Sequence, residues 1–330
     1  MQAIQITTLE GPEAIHLCEV ATPEGDDLVL IDVEAIGVAF PELLQTRGLY
    51  QYQPGLPFIP GAEVSGVVRS APDGCSLQPG DRVASLPLIG GFAEQVRARS
   101  DLTFRLPDEV SFEAGAAFVF NYATSYFALV QRGGLQPGET VLVHGAAGGI
   151  GTSAIQVAKA FGAGEVIAVT SSAEKGDVAL QAGADRYVLA DGFKDAVGRT
   201  VDVVVDPVGG PRFTDSLRTL REHGRLLVVG FAAGEIPIVK VNRLLLNNIS
   251  VVGVGWGADS FARPGEVAAQ WDALVDHLRS GALSPVIGPI FALENAVEAL
   301  RCLNSRGATG KVLLTTDPNG HRPREPKKAE

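Results

Sequence analysis

The stretch TVLVHGAAGGIG, residues 140–151, decides the fold, because in it an apolar strand runs directly into a glycine-rich turn. An apolar helical pattern, TSAIQVAKAFG, follows and ends near Gly162. This order of strand, turn and helix is the context that a dinucleotide-binding fingerprint requires. The turn reads Ala146-x-Gly148-x-x-Gly151, with alanine in place of the first glycine.

Each small residue of this turn has a physical role in such a site. Gly148 lets the backbone approach a pyrophosphate, and Gly151 lets the helix pack close to the strand. Free N–H groups at the start of the helix would hold the phosphates. The predicted cofactor-binding residues here are Ala146, Ala147, Gly148, Gly149, Ile150 and Gly151. An ordinary tight turn is the alternative, since 39 of the 330 residues are glycine.

Composition excludes several classes of protein. A chain of 330 residues, 46% of them hydrophobic, has room for two domains with large cores. The formal charge of −11 argues against nucleic-acid binding, and solubility explains it. We expect no membrane span and no secretory signal, because neither pattern occurs. The scattered Cys18, Cys75 and Cys302 indicate free thiols and a cytoplasmic protein.

The pattern of the chain changes twice. Residues 1–118 are mostly β with many Pro and Gly turns, and residues 119–260 alternate strands with helices. Residues 261–330 begin with a helix at about 264–280, return to the first pattern and end in a tail after Asp317 that we expect to fray. The alternation predicts an α/β fold with a doubly wound parallel sheet. Its strands are predicted at 140–145, 165–170, 186–190, 201–206, 224–230 and 249–254.

Five motifs together resemble one family. They are GAEVSGV at 61–67, PGDRV at 79–83, GAAGGIG at 145–151, DPVGG at 206–210 and GATGKVLL at 307–314. With them the chain resembles the zinc-free medium-chain dehydrogenases/reductases of the quinone oxidoreductase type, which includes ζ-crystallin. The likeness extends over nearly the whole chain.

The resemblance implies two domains. A GroES-like β-rich catalytic domain is expected from residues 1–118 and 261–330, and a Rossmann NADPH-binding domain from residues 119–260. It also implies homodimers that form through the Rossmann domains. The segment 236–256 corresponds to the region where such dimers pair strands.

Zinc is not expected in this chain. Zinc enzymes of the superfamily have histidine at the position of Ala62 and cysteine at the position of Ala39. A structural zinc site needs four closely spaced cysteines, and this chain has three scattered ones. Glu63 remains, and we interpret it as a structural acid beneath the active site. His144 lies inside the first strand and is predicted to be structural.

The end of the second strand favours NADPH over NADH. NAD-selective folds place a carboxylate there for the ribose hydroxyl, whereas this chain has Thr170-Ser171-Ser172. Ser171 and Glu174 form a capping-box pattern for the next helix. The resemblance implies that Lys175 and Ser171 bind the 2′-phosphate, although a solvated lysine is the alternative. Ala190 stands where relatives often have tyrosine, with Tyr187 nearby.

The resemblance also implies a substrate pocket and further cofactor contacts. Asn121 and Thr124 are expected on the nicotinamide side, Phe231 and Ala232 in the loop that crosses it, and Lys311 near the phosphates. Ordinary packing or solvation is the alternative for each. The expected pocket residues are Ala39, Leu44, Tyr50, Asn121, Leu245 and Trp256.

A zinc-free site of this kind suits hydride delivery to an electrophilic acceptor rather than alcohol oxidation. The first hypothesis is therefore an NADPH-dependent quinone reductase. The second is an enone or enoyl-thioester reductase of the acryloyl- or crotonyl-CoA type, for which Arg47 is the one early basic candidate. The third is an NADPH-binding protein with a structural or sensing role. Ala39 and Leu44 replace the asparagine and tyrosine of many quinone reductases, so no residue is assigned as general acid.

Overall fold

The computed structural model describes residues 1–305 and 307–317. The chain forms two compact units. Unit 1 consists of Met1–Phe120 together with the chain from Ile287 onward, and unit 2 consists of Asn121–Val286. The predicted fraying of the tail concerns residues outside the described part.

The strands and helices are numbered in chain order. The strands are β1 (Gln2–Ile6), β2 (Ile15–Glu19), β3 (Val29–Val38), β4 (Glu63–Ser70), β5 (Arg82–Ser85), β6 (Gln95–Ala98), β7 (Thr103–Arg105), β8 (Thr140–His144), β9 (Glu165–Thr170), β10 (Arg186–Leu189), β11 (Val201–Asp206), β12 (Leu220–Val228), β13 (Ser250–Gly253), β14 (Ile287–Ala292) and β15 (Lys311–Thr315). The α-helices are α1 (Phe40–Gln45), α2 (Phe112–Ala116), α3 (Val119–Tyr126), α4 (Gly149–Ala160), α5 (Ala173–Gln181), α6 (Phe193–Val197), α7 (Phe213–Thr219), α8 (Asn242–Asn247), α9 (Trp256–Ser260), α10 (Glu266–Arg279) and α11 (Ala296–Asn304). Short 3₁₀ helices cover Pro12–Ala14, Ser100–Leu102, Gly210–Arg212 and Leu293–Asn295, and a π-helical segment, Phe127–Arg132, continues α3.

Unit 1 is built around a seven-stranded sheet. Its main path runs in the order β14-β15-β3-β4-β5-β7, and β6 pairs with β3 off that path. Most neighbours are antiparallel, whereas β14 and β15 are parallel. Because β15 lies between β14 and β3, the two ends of the chain complete one sheet. A separate antiparallel pair joins β1 to β2.

The core of unit 1 follows from the long strand β3. Its ten residues are almost entirely buried, and they pack with apolar residues from β4, β15 and α11. Continuous burial of this kind is typical of a central strand with both faces covered. Only Asp32 and Glu34 of this strand are partly exposed.

Unit 2 is a doubly wound sheet. All of its six strands are parallel, in the order β10-β9-β8-β11-β12-β13. Numbered from the first strand of the unit this is 3-2-1-4-5-6, the Rossmann order. The order reverses between β8 and β11, and ligands of such sheets bind beyond the carboxyl ends of the strands at this switch point. The predicted α/β class, with a Rossmann sheet and a β-rich second domain, is confirmed.

The helix predicted at about 264–280 is present as α10, but it belongs to unit 2. Its Gln270 contacts Trp256 and Gln131, and its His277 ring packs near the Phe161 ring. The chain returns to unit 1 at Ile287. The resemblance implies instead that all of residues 261–330 belong to the catalytic domain, whereas residues 261–286 lie in unit 2.

In residues 1–305 and 307–317 we find no helix that is both long and apolar enough to cross a bilayer.

Candidate functional site

The glycine-rich turn connects the central strand β8 to the twelve-residue helix α4. The backbone reverses at Gly145, whose φ of +58° favours glycine. Gly148 is the N-cap of α4, and no side chain caps the first turn. The first N–H groups of this helix are therefore suited to an anion, as a pyrophosphate would be.

Two glycines of the turn allow close approach. A Cβ at Gly151 would overlap the Gly145 carbonyl oxygen, so glycine is required for α4 to approach the end of β8. A Cβ at Gly149 would lie 2.7 Å from Nδ2 of Asn121. The absence of side chains at Gly149 and Gly151 therefore lets Asn121 and the Gly145 carbonyl approach the first turn of α4.

The helix α3 brings Asn121 and Thr124 to this region of unit 2. Both residues are buried, and the Asn121 carboxamide lies against Gly149. The Asn121 carbonyl oxygen is 3.2 Å from Oγ of Ser153 on α4. Asn121 is therefore fixed beside the candidate phosphate-binding turn.

The end of β9 has hydroxyl groups and no carboxylate. Thr170 ends the strand, and Ser171 is exposed in the connection to α5. Lys175 follows in the first turn of α5. This arrangement would not repel a second phosphate on the cofactor, and a cation stands close to it in sequence.

The cap of α5 differs by one residue from the predicted capping box. Ser172, not Ser171, is the N-cap, and its Oγ accepts a 3.4 Å hydrogen bond from the Lys175 N–H. The Ser172 hydroxyl also bonds to Glu174, which lowers the pKa of that carboxyl. Ser171 therefore keeps its side chain outside the cap.

Tyr187 lies close to this cap. A Cβ at Gly176, in the first half of α5, would come within 2.6 Å of the Tyr187 ring, so glycine makes room for the ring. Ala190 is buried, and its N–H donates to the Thr170 carbonyl. The aromatic residue beside the first turns of α5 thus comes from within β10.

Asp206 and His144 end the two strands of the switch point, β11 and β8. One carboxylate oxygen of Asp206 accepts the N–H groups of Val208 and Gly209, both at 2.9 Å, and so shapes the DPVGG turn. His144 Nε2 lies 2.7 Å from Oγ of Ser216. Burial lowers the pKa of His144 to about 4, so the ring is neutral at pH 7. Its other ring nitrogen, Nδ1, is buried and has no hydrogen-bond partner among the described residues.

The loop after β12 lies near the same turn. The Phe231 ring is 3.0 Å from the position that a Cβ on Gly209 would take, and the side chain is partly exposed. The Ala232 N–H donates to the Pro207 carbonyl at 3.1 Å. The loop is therefore held by the backbone of the DPVGG turn, at the carboxyl end of the sheet.

The side chain of Glu42 bonds to the backbone of both Ala39 and Ala62. It is buried at the start of α1, where one carboxylate oxygen accepts the Ala39 N–H at 2.9 Å and the other accepts the Ala62 N–H at 3.0 Å. These are the two positions where zinc relatives have metal ligands. Burial raises the pKa of Glu42, and the nearby Lys311 ammonium opposes the rise.

Glu63 and Lys311 form a buried ion pair. Oε2 of Glu63 accepts a 2.8 Å hydrogen bond from Nζ of Lys311, and Oε1 accepts the Phe120 N–H at 2.8 Å. A Cβ at Gly37 would lie 2.7 Å from Glu63 Oε2, so glycine makes room for the pair. Burial raises the pKa of Glu63, and Lys311 opposes this. The structural role predicted for Glu63 agrees with these contacts.

This placement bears on the predicted phosphate contact of Lys311. The ammonium is buried, bonds to Glu63 and lies 5.6 Å from the centre of the Phe120 ring. Its role at the cofactor phosphates stays a prediction.

The predicted pocket residues are distributed over both units. Ala39, Leu44 and Tyr50 are half-buried at the N-cap of α1, within it and after it, and burial raises the pKa of Tyr50. In unit 2, Leu245 is 77% exposed on α8. Trp256 is buried, and its indole N–H donates to Gln270 at 2.7 Å, which is the geometry of a packed side chain.

Within the described residues, no three His, Cys, Asp or Glu side chains form a group that could hold a metal ion. The three cysteines are free thiols.

Several polar residues at these sites are not among the residues predicted from the sequence. Glu42 follows Ala39 by three residues, the spacing at which a carboxylate reaches back to an N-cap N–H, so the signal was present. Ser153 and Gln156 are polar residues in the otherwise apolar helix α4, and both are buried. Polar residues inside an apolar helical stretch indicate specific partners.

The chain matches two models of known families. Residues 25–108 match the alcohol dehydrogenase GroES-like domain, and residues 149–276 match the zinc-binding dehydrogenase model. Ala39 and Ala62 lie within the first of these matches and outside the second.

Individual relatives extend over nearly the whole chain. Quinone oxidoreductase-like protein 2 of Rattus norvegicus is 39% identical over 95% of this chain and 92% of its own. A probable oxidoreductase from Mycobacterium abscessus is 41% identical, with a TM-score of 0.87 over 96% of this chain and 98% of its own. The quinone oxidoreductase of Thermus thermophilus, which was solved alone and in complex with NADPH, is 34% identical, with a TM-score of 0.83 over 96% of this chain and 100% of its own.

Proposed function

The chain belongs to the quinone oxidoreductase family of medium-chain dehydrogenases/reductases, and from this premise we propose that it is an NADPH-dependent, zinc-independent quinone reductase. The observation that supports the cofactor choice best is the end of β9. Hydroxyl groups and Lys175 stand there in place of a carboxylate.

The residues around the turn fit a dinucleotide. Gly148 and Gly149 leave the first turn of α4 without side chains, and its N–H groups would hold the pyrophosphate. Asn121 would bind on the nicotinamide side, and Ser171 and Lys175 would bind the 2′-phosphate. NADPH, when bound, supplies the hydride.

Zinc independence is proposed from the side chains that replace the ligands. Ala39 and Ala62 have no donor atoms, and Glu42 bonds to the backbone N–H groups of both. A bound metal stabilises an alcohol oxygen as an alkoxide by Lewis-acid action, and the side chains of Ala39 and Ala62 cannot ligate one. A quinone needs no such help, since its ring accepts a hydride and its oxygens can take protons from water.

The acceptor is proposed to be apolar and flat. Ala39 and Leu44 contribute no hydrogen bonds from their side chains, so recognition would depend on shape and burial. An enoyl-thioester acceptor would favour a free cation, and Arg47 bonds to Asn304 at 3.1 Å instead. An enone therefore remains the closer alternative, and NADPH binding without turnover is the third.

An acceptor panel tests this function. We expect NADPH-dependent reduction of 9,10-phenanthrenequinone and 1,4-benzoquinone to be faster than reduction of crotonyl-CoA or NADP⁺-dependent oxidation of any simple alcohol. A chelator should leave the rate unchanged, and mass spectrometry should find no stoichiometric zinc. Robust alcohol oxidation without quinone reduction, or activity restored only by zinc, contradicts the proposal.

Replacement of Lys175 tests the cofactor. We expect Lys175→Ala to raise the KM for NADPH by about 10- to 100-fold, the worth of a hydrogen bond to a charged group, and to leave the KM for NADH nearly unchanged. Lys194→Ala is a matched control, because Lys194 pairs with Asp195 on α6 of the same unit. Equal losses for both cofactors would assign Lys175 to the fold.

We also propose a cytoplasmic homodimer. The free thiols of Cys18, Cys75 and Cys302 support a reducing compartment. The dimer is proposed to use the segment 236–256, for which the exposed side chains of that segment provide the support.

A further inference from the structure

The interface between α3 and α4 is polar, although it is buried. On α4 it uses Gly149, Ser153 and Gln156, whose spacing of four and three residues places them on one helical face. On α3 it uses Asn121, Tyr122 and Ser125, all less than 5% exposed. We call these six residues the α3–α4 polar contacts.

The contacts form a continuous series that starts at the glycine-rich turn. At the first position, the Asn121 carboxamide lies against Gly149, where a Cβ would be 2.7 Å from Nδ2. At the second, Ser153 Oγ lies 2.7 Å from Ser125 Oγ, 3.0 Å from the Ile150 carbonyl oxygen of its own helix and 3.2 Å from the Asn121 carbonyl oxygen. Ser125 can donate to Ser153 while Ser153 donates to a carbonyl, so both hydroxyls are satisfied.

The third position is Gln156. Its Oε1 accepts the Tyr122 hydroxyl at 2.7 Å and the Ser284 N–H at 2.8 Å. Its Nε2 donates to the Ser284 carbonyl at 2.7 Å. One side-chain amide therefore joins α4 to the residue beside Asn121 and to the backbone of a second segment.

Stability alone does not require this polarity. Replacing both partners of a buried hydrogen bond by apolar groups of the same shape can be nearly neutral. A fully satisfied polar network instead selects one arrangement of the packed helices, because any slip leaves buried groups without partners. The arrangement selected here is the one that holds the Asn121 carboxamide at the first turn of α4.

We propose that the α3–α4 polar contacts position Asn121 for NADPH, with Tyr122, Ser153 and Gln156 as positioning residues that act through Asn121. The inference rests on the proposed function, because it assumes that NADPH binds at the turn of α4. None of the three side chains has to contact the cofactor itself.

The test compares NADPH binding with stability in three variants and one control. Tyr122→Phe removes a single oxygen. Ser153→Ala removes the hydroxyl that pairs with Ser125. Gln156→Met removes all hydrogen bonds of the side-chain amide at similar volume. Ser85→Ala is the matched control, since Ser85 Oγ and Thr103 Oγ1 form a buried 2.8 Å hydroxyl pair in unit 1. The dissociation constant for NADPH is measured by nicotinamide fluorescence without acceptor, and Tm is measured without cofactor.

We expect Ser153→Ala and Ser85→Ala to lower Tm by similar amounts. Only the three variants of the contacts should raise the NADPH dissociation constant, by about threefold to tenfold, the equivalent of one net hydrogen bond. Tyr122→Phe is the least disruptive substitution, and it decides the matter if another variant does not fold. Variants that bind NADPH as tightly as the unaltered protein overturn the inference alone. An unaltered protein that binds no NADPH overturns the proposed function together with it.

Discussion

Lys311 shows how a single buried cation can be required by its surroundings. Glu63 bonds to its ammonium, and Glu42 lies close enough for the ammonium to lower its pKa against the effect of burial. Two buried carboxyl groups thus depend on one lysine. A buried charge without its partner is much more costly than an exposed one.

We therefore expect Lys311→Met to lower the free energy of unfolding by about 3–5 kcal/mol, as breaking a buried pair does. Lys159→Met is the control, because Lys159 pairs at 3.0 Å with Asp185 on the surface and should cost less than about 1 kcal/mol. The double variant Glu63→Gln/Lys311→Met should recover part of the loss. Denaturant unfolding measures all three. A large rise in the KM for NADPH without loss of stability would instead assign Lys311 to the cofactor phosphates.

At the scale of elements, the turn between β8 and α4 combines two demands on glycine. Gly151 is required by packing, because its Cβ would overlap the Gly145 carbonyl oxygen, which is backbone and cannot rotate away. Gly148 has ordinary space, with 3.4 Å from a Cβ to the same oxygen. The two positions therefore separate fold from binding.

We expect Gly151→Ala to destabilise the protein by about 1–3 kcal/mol, the usual cost of overpacking, and to abolish turnover. Gly148→Ala should fold normally and lose affinity for NADPH, because the new methyl group stands where the cofactor approaches. Thermal unfolding and cofactor titration separate the two effects. A stable Gly151→Ala protein with full activity would show that α4 can move away from β8 without consequence.

The strands of unit 2 could be predicted because they are apolar and continuous. The bounds of β9 and β11 are those expected from the sequence, whereas β12 begins at Leu220 rather than 224. Its first residues, LREH, are mostly polar, and a register shift in its pairing with β11 falls next to them, so hydrophobicity could not locate its start. The spacing of Ser171 and Glu174 predicts Ser171 as the N-cap of α5, whereas the N-cap is Ser172. Sequence spacing could not place the first residue of this helix to within one position.

The candidate site could be predicted less completely than the fold. The glycine-rich turn is local and visible in the sequence. The bonds from Glu42 to Ala62 and from Glu63 to Lys311 join residues 20 and 248 positions apart. Trp256 is an example, because its indole N–H bonds to Gln270 of α10, a helix that the sequence pattern places in the other domain.

At the scale of the whole molecule, unit 2 has an exposed apolar segment. Ile236, Ile238, Val241, Leu245 and Leu246 are all at least 69% exposed, and β13, which follows, lies at an edge of the sheet. Apolar patches and open edges of this kind mark interaction surfaces. A second copy of the chain is the partner that we propose for this surface.

We expect light scattering at micromolar concentration to give twice the 34.5 kDa mass of the chain. Ile238→Asp should shift the protein toward the monomer, because a charge would enter the apolar surface. Leu189→Asp is the control, since Leu189 is 49% exposed on β10, at the opposite edge of the same sheet. A monomer throughout the micromolar range would refute the dimer.

The position of β15 between β14 and β3 also has a consequence for synthesis on the ribosome. Unit 2 is contiguous in sequence, so all of its residues are available for folding once residue 286 has left the exit tunnel. Unit 1 must wait, because β3 lacks one neighbour until residues 311–315 have been translated. During that interval residues 35–38 of β3 have no partner strand on the side where β15 pairs, and an unpaired strand edge of this kind is prone to incorrect pairing.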